Sequence, residues 1–239
     1  MTQLIRPLVS TLIELFYPSN CVGCGLPQSP GKQLCDSCRE SVTPILPPFC
    51  YTCSRPLKGV INSEFRGPSC EDRDIGFDCA VSAYQATGLL RDLIHRFKYS
   101  GHYYLRHILA DFLMDGFKDE RTTLVDGIVP VPLHPTRHRE RGYNQSEVLA
   151  EIVSRRSGIP VQKYLRRRIP TQTQTQFNRQ QRMENLRNAF TLRENSAVHG
   201  KNLLLLDDIL TTGSTLAECA QVLRAAGAYS VWAMTVARG

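Results

Sequence analysis

The chain has 239 residues, 42% of them apolar and 21% charged. That apolar share supports a packed core, so a wholly disordered chain is not expected, and no stretch approaches the ~18 consecutive apolar residues that a membrane-spanning helix needs. A formal net charge of +7 and a pI near 9.0 favour anionic partners, phosphorylated metabolites or nucleic acid, without choosing between them.

At the N-terminus, Leu4, Ile5, Leu8, Val9, Leu12, Ile13, Leu15 and Phe16 form a helical stripe interrupted by Arg6, Pro7 and Glu14. It has no continuous apolar core and no small-residue cleavage site. A packing helix is therefore expected rather than a targeting signal, and the protein is expected to be cytoplasmic, with no membrane insertion.

Eight of the nine cysteines follow between positions 21 and 79. At that density, without a secretion signal, cysteines suggest metal ligation rather than disulfides. Cys21-x2-Cys24 and Cys35-x2-Cys38 supply two turns whose four thiolates suit a tetrahedral Zn2+ shell, and Gly23 and Gly25 leave the first turn free to aim both sulfurs inward. Cys50-x2-Cys53 opens a second set. Cys70 follows, and Arg73 stands where another Cys-x2-Cys would place its sulfur. Cys79 either closes that second shell or is a small buried residue of a strand over 77–84. Both shells are expected to be structural, because neither leaves an open coordination position.

Residues 88–118 carry a helical pattern in two pieces. Leu89, Leu90, Leu93, Ile94 and Phe97 form one stripe; after a break at Ser100-Gly101, Leu105, Ile108, Leu109, Phe112 and Leu113 form the next. Lys98 and His102 near the break are ordinary exposed turn residues unless a ligand comes within reach. Residues 124–132 read as the first strand of a main sheet. The basic run Arg139-Glu140-Arg141-Gly142-Tyr143-Asn144-Gln145 then leads into a helix with Val148, Leu149, Ile152 and Val153 inward. Arg139 and Arg141 at a strand-to-helix loop suit a pyrophosphate, which guanidinium groups bind in bidentate fashion. As a bare charge run, the same residues would be a solvated or nucleic-acid-facing surface. The polar tract 170–176 reads either as a lid or as a plain surface loop.

The chemistry concentrates at 201–215. Leu203-Leu204-Leu205-Leu206 has the length of a strand buried on both faces of a parallel sheet. Asp207 and Asp208 end the run, and the loop Thr211, Thr212, Gly213, Ser214 and Thr215 opens a helix with Leu216, Ala220 and Leu223 inward and Gly227 as its cap. Backbone N–H groups of such a loop make a concave phosphate site. Two carboxylates beside it suit a ligand carrying a phosphate and a diol, or a hydrated Mg2+. The bland alternative is a buried strand whose acidic tip caps the next helix. Residues 231–236 read as a last strand.

Strand, acid pair, hydroxyl-rich glycine loop and helix in this order resemble the phosphoribosyl pyrophosphate (PRPP) motif of type I phosphoribosyltransferases. Val129-Pro130-Val131-Pro132-Leu133, the 139–145 run, and the spacing of Arg182, Asn185 and Phe190 look like the ComF/GntX family, and the similarity extends to the cysteine-rich segment. The resemblance implies an α/β fold: a type I phosphoribosyltransferase-like parallel sheet flanked by helices, preceded by a small zinc-ribbon module, with domains at 1–80 and 81–239. It implies that Asp207 and Asp208 hold the ribose hydroxyls, Thr211, Thr212, Gly213, Ser214 and Thr215 the 5′-phosphate, and the loop after the strand at 124–132 the pyrophosphate. Thr211 stands where 6-oxopurine enzymes of the family carry an aspartate, which argues against that substrate class. The implied activity is transfer of phosphoribosyl from PRPP, with Mg2+, to an unidentified nucleophile, in a protein linked to DNA uptake. The alternative is a non-catalytic PRPP sensor or adaptor for single-stranded DNA or a competence protein, or for carbohydrate use. Against DNA, no interleaved basic and aromatic stripe of the base-stacking kind is visible along the sequence.

Overall fold

The computed structural model describes residues 20–29, 31–59, 65–67, 70, 75–122, 124–168 and 188–239. The stripe before residue 20, Arg73, the 170–176 tract, Arg182 and Asn185 lie outside the described residues. The chain divides into two compact units, 1–43 and 44–239.

In the first unit a tight turn follows from the Cys21-x2-Cys24 spacing. Gly25 N–H donates to Cys21 O at 2.8 Å, Cys21 N–H to Leu26 O at 2.8 Å, and Val22 N–H to Gln33 O at 2.9 Å. Asn20 bridges Pro27 across the turn. The helix α1 (Asp36–Glu40) begins at Cys35, whose sulfur accepts the Cys38 N–H.

The second unit begins with the same construction, shifted along the chain. Ser54 N–H donates to Cys50 O at 2.9 Å, Cys50 N–H to Arg55 O at 2.8 Å, and Tyr51 N–H to Phe65 O at 3.0 Å. Phe49 bridges Pro56, as Asn20 bridges Pro27. This turn is built into the core that follows: Cys50, Cys53, Cys70 and Phe77 pack with Val129, Leu203, Leu205, Leu210 and Leu216.

The remaining elements are β1 (Ala80–Gln85), α2 (Gly88–Tyr99), α3 (Arg106–Gly116), β2 (Gly127–Pro130), α4 (Pro135–Arg141), α5 (Gln145–Ser157), β3 (Leu165–Arg167), β4 (Phe190–Leu192), β5 (Asn202–Leu210), α6 (Ser214–Ala225) and β6 (Ser230–Arg238). The main sheet runs β1–β6–β5–β2, all parallel, and β3 pairs with β4 as a separate antiparallel ribbon.

Leu203, Leu204, Leu205 and Leu206 have no exposed surface. Alternation along a strand explains why both faces must be covered. Leu203 and Leu205 share a cluster with Leu216, Ala220 and Leu223 of α6. Leu204 and Leu206 face the other side, where α5 packs on β2 and β5, and α3 on β1 and β6. Each leucine so buried contributes roughly 1.5–3 kcal/mol relative to exposure. Beyond α6, Gly227 takes φ +88°, and a Cβ there would lie 2.8 Å from the His199 ring, so the expected glycine stop is required twice over.

Two details differ from the sequence expectation. The strand at 80–85 joins the main sheet beside β6, so the strand near 124–132 is the second of the sheet rather than its first. The strand read over 77–84 carries three consecutive buried residues, Ala80, Val81 and Ser82, and no alternation that would assign it to the edge of this sheet. In addition, β5 does not end at the acid pair: β6 runs on beside it, pairing Asp207 with Thr235 and Leu210 with Arg238. Among the described residues no helix is long and apolar enough to cross a membrane.

Candidate ligand cavity and metal centres

The carboxyl ends of β2 and β5 open onto a cavity of about 410 Å³ lined by both the acid pair and the basic loop. Open α/β sheets bind ligands at this edge, and the volume is in the range of small-molecule sites.

Asp207 and Asp208 stand at its base on β5. Ser146 Oγ, from the first turn of α5, donates to Asp207 Oδ1 at 2.8 Å; the Asp208 N–H donates to the same oxygen at 2.9 Å. Lys98, at the end of α2, pairs with Asp208 Oδ1 at 2.7 Å. Burial and the adjacent Asp208 charge push the Asp207 carboxyl up to about 6, against the opposing pull of Lys98 and Ser146. Burial alone would lower the Lys98 ammonium, but the two carboxylates prevail and raise it.

The loop between β5 and α6 is shaped by Gly213, at φ +81°, a conformation that costs other L-residues roughly 1–2 kcal/mol. Thr212 Oγ1 and Ser214 Oγ lie 3.0 Å apart, in hydrogen-bond contact, and Thr212 Oγ1 accepts the Ser214 N–H at 3.4 Å. Thr211 and Thr215 line the cavity directly.

Opposite stands the loop after β2. Pro135 opens α4, and His134 Nδ1 accepts the Thr136 N–H at 3.2 Å. Asn144 caps α5 by accepting the Ser146 N–H at 3.2 Å and donates to Val131 O at 3.0 Å, which ties the loop to the strand. Arg137 and Arg141 reach the cavity; Arg139 does not line it. The helix accounts for this, since residues four apart share a face and the one between them points away. Arg141 donates to Gln145 Oε1 at 3.1 Å and lies over the Tyr99 ring. The Gln145 Nε2 amide is buried against the cavity with no hydrogen-bond partner among the described residues. Arg167 of β3 adds a further guanidinium, lowered by burial.

The cysteines form two groups: Cys21, Cys24, Cys35 and Cys38, and Cys50, Cys53 and Cys70, with the sulfurs of each group within 4.8 Å of one another. Cys24 Sγ and Cys35 Sγ are 3.8 Å apart, the edge of a tetrahedron with Zn–S bonds of about 2.3 Å. Backbone N–H groups aim at the sulfurs, Cys35 N–H at Cys21 Sγ (3.4 Å) and Gly67 N–H at Cys50 Sγ (3.2 Å). Burial would raise the Cys21 thiol, but the N–H groups of Cys35, Cys24 and Gly23 bring it down to about 6. Hydrogen bonding between Cys50 and Cys53 brings Cys50 down to about 4 and pushes Cys53 up, and hydrogen bonding with Cys35 pushes Cys38 up to about 12. The spacing of the sulfurs fits Zn2+, with four in the first group and three in the second among the described residues, so the closed second shell expected from the sequence is short of one cysteine there. Cys79 belongs to neither group; burial pushes its thiol up to about 12.

Of the residues singled out in the sequence, Asp207, Asp208, Thr211, Thr215 and Arg141 line this cavity, whereas Thr212 and Gly213 line a smaller one beside Cys53 and Cys70. Lys98, read as a turn residue unless a ligand came within reach, lines the larger cavity as well, and Ser146, Arg137 and Arg167 join it without having been singled out as site residues. Those residues come from α5, α4 and β3, and only the packing of these elements around β5 brings them together.

Residues 12–73 match the family model described as a double zinc ribbon domain, and residues 144–239 match the phosphoribosyl transferase domain. The chain is 30% identical to Competence protein F of Haemophilus influenzae over 230 residues, 93% of this chain and 98% of that protein. It is 32% identical to the DNA utilization protein YhgH of Escherichia coli over 228 residues, 92% of this chain and 98% of that one. Competence protein ComFC of Bacillus subtilis is 27% identical over 225 residues, covering 87% and 85%. With both parts matched and relatives aligned along almost their whole length, the chain belongs to the ComF family, in which a double zinc ribbon precedes a phosphoribosyltransferase domain.

Proposed function

We propose that the cavity binds PRPP together with Mg2+, and that the protein transfers the phosphoribosyl group to a nitrogen nucleophile and releases pyrophosphate. The observation that carries this is the placement of the partnered pair Asp207 and Asp208 between a hydroxyl-rich phosphate loop and two inward arginines. In this reading the acid pair accepts the two ribose hydroxyls, and the loop at 211–215 cradles the 5′-phosphate. Arg137 and Arg141 hold the pyrophosphate, with the Gln145 amide as a further donor. The Asp207 and Asp208 carboxylates, with water, are oxygen donors of the kind that would hold Mg2+, which would supply charge neutralisation to the pyrophosphate. The transition state places positive charge on the ribose ring. Fixed carboxylates beneath the ring and fixed guanidinium groups around the leaving group are the preorganised charges that such a step needs. A chain rich in thiols that handles PRPP belongs in the reducing cytoplasm.

Calorimetric titration with PRPP, with and without Mg2+, tests the binding. Micromolar affinity that requires Mg2+ is the expected result, together with loss of binding in the Asp207→Asn/Asp208→Asn double variant. Unchanged affinity in that variant removes the site from this cavity.

A second reading, in which the protein is an adaptor for single-stranded nucleic acid, rests on a face beside the cavity. Tyr99, Tyr103 and Tyr104 are 53%, 42% and 41% exposed. Arg106 lies over the Tyr103 ring and Arg141 over Tyr99, while Tyr104 stacks on His102. Exposed rings alternating with guanidinium groups form the platform on which bases stack. The relatives' names, competence and DNA utilization proteins, agree with this reading. Binding of an oligothymidine that weakens steeply with salt, and fails in Tyr103→Ala/Tyr104→Ala, is its expected signature.

A further inference from the structure

Arg238, the last residue of β6, lies outside the ligand cavity and is 6% exposed. Its guanidinium joins two parts of the second unit. Nε donates to the carbonyl of Cys53 at 3.0 Å. Nη1 donates to the carbonyls of Leu210 at 2.9 Å and Thr211 at 2.7 Å. Cys53 is the second sulfur ligand of the Cys50-Cys53-Cys70 group, and Thr211 is the first residue of the phosphate loop. A small cavity of about 70 Å³ separates the two, lined by Cys53, Cys70, Phe77, Leu210, Thr212 and Gly213. The second cysteine turn is therefore the floor on which the phosphate loop rests. The first cysteine group, of four sulfurs, lies in the other compact unit.

We propose that metal in the Cys50-Cys53-Cys70 group sets the conformation of the phosphate loop through Arg238, so that occupancy of this centre, and not of the first, controls affinity for the phosphorylated ligand. The ion fixes the turn 50–53 and with it the Cys53 carbonyl. That carbonyl holds one edge of the guanidinium; the other edge pins Leu210 and Thr211. Pinning these carbonyls fixes the Leu210–Thr211 and Thr211–Thr212 peptide groups with which the loop begins. The inference rests on the PRPP reading for the identity of the ligand, but not for the coupling itself.

Coupling between two sites is reciprocal in free energy. PRPP should therefore retain the second ion as strongly as that ion promotes PRPP binding, by about tenfold if the coupling is of ordinary size. The experiment is an equilibrium competition for zinc between the full-length protein and a chromogenic chelator that does not bind Mg2+, with and without PRPP and Mg2+. One of two ions is expected to be held about tenfold more tightly with PRPP. That protection should persist in Cys21→Ser/Cys24→Ser and vanish in Arg238→Lys, which keeps the charge but loses the fork. A protein that binds PRPP by calorimetry yet releases both ions indifferently to it overturns the inference, as does full protection in Arg238→Lys. If PRPP does not bind at all, the functional reading fails instead, and the coupling is read from amide hydrogen exchange. Stripping the second ion should then deprotect residues 211–216, and unchanged exchange there overturns the coupling.

Discussion

At the scale of single residues, the cavity stores an electrostatic conflict that a diol ligand would relieve. Asp207 is raised from an ordinary 3.8 to about 6 by burial and by Asp208. A raised carboxyl favours the protonated form in the folded protein. Its contribution to the stability of the free protein is therefore present at low pH and lost as pH rises from near 4 to about 6. Ligand affinity runs the opposite way, because an ionised carboxylate is the better acceptor for ribose hydroxyls. PRPP affinity should thus increase as pH rises from 5 to 7, with a midpoint near 6; calorimetry at fixed Mg2+ measures it, and a flat profile counts against Asp207 as the diol acceptor. Lys98 tunes this midpoint. Its charge, held by the 2.7 Å ion pair with Asp208, lowers the Asp207 carboxyl against burial and the Asp208 charge. Lys98→Met should move the midpoint up and weaken binding at neutral pH. A midpoint that stays near 6 would mean that Lys98 is no more than packing.

At the scale of elements, the same sequence information proves sufficient or insufficient according to how local it is. The β5–loop–α6 unit was legible because four leucines, two aspartates, a glycine loop and an inward Leu216/Ala220/Leu223 stripe are contiguous. The basic run was legible as charge but not as a face. Only once α4 is known to span Pro135–Arg141 do Arg137 and Arg141 fall on one side and Arg139 on the other. Arg137→Ala and Arg141→Ala should therefore each lower PRPP affinity by about tenfold, the worth of roughly 1.4 kcal/mol, whereas Arg139→Ala should leave it within twofold. Equal losses from all three would show a diffuse field rather than a shaped clamp. The tyrosine face was hidden for a related reason. Tyr99, Tyr103 and Tyr104 belong to the end of α2 and a one-turn 3-10 helix, Tyr103–Leu105. It is the break between them that turns the three rings outward together with Arg106.

At the scale of the whole molecule, the cysteine-rich segment matches one double zinc ribbon model over residues 12–73. Its halves repeat the same hydrogen-bonded turn, yet they belong to different compact units, 1–43 and 44–239. In the first half, Leu34 and Val42 are the buried apolar residues besides Cys21 among those described. A Zn2+ ion held by Cys21, Cys24, Cys35 and Cys38 would add to the order of these described residues. The second half contributes Cys50, Cys53, Cys70 and Phe77 to the core of the sheet. It is tied there by Ala80 N–H donating to Thr52 O at 2.8 Å and by Arg121 donating to Tyr51 O at 2.6 Å. Cutting the chain at these two places should thus have unequal consequences. A protein beginning at residue 44 should fold cooperatively and bind PRPP as the full chain does. One beginning at residue 81 loses Phe77 and the three cysteines from its core. Loss of the phenylalanine alone costs about 3–5 kcal/mol, against a total stability of roughly 5–15 kcal/mol, and the Leu203 and Leu205 face keeps only the part of its cover that comes from the rest of the cluster. That shorter protein should be insoluble, or should melt without a cooperative transition in circular dichroism. If it instead folded and bound PRPP with full affinity, the second cysteine turn would be an appendage and not part of the ligand-binding fold.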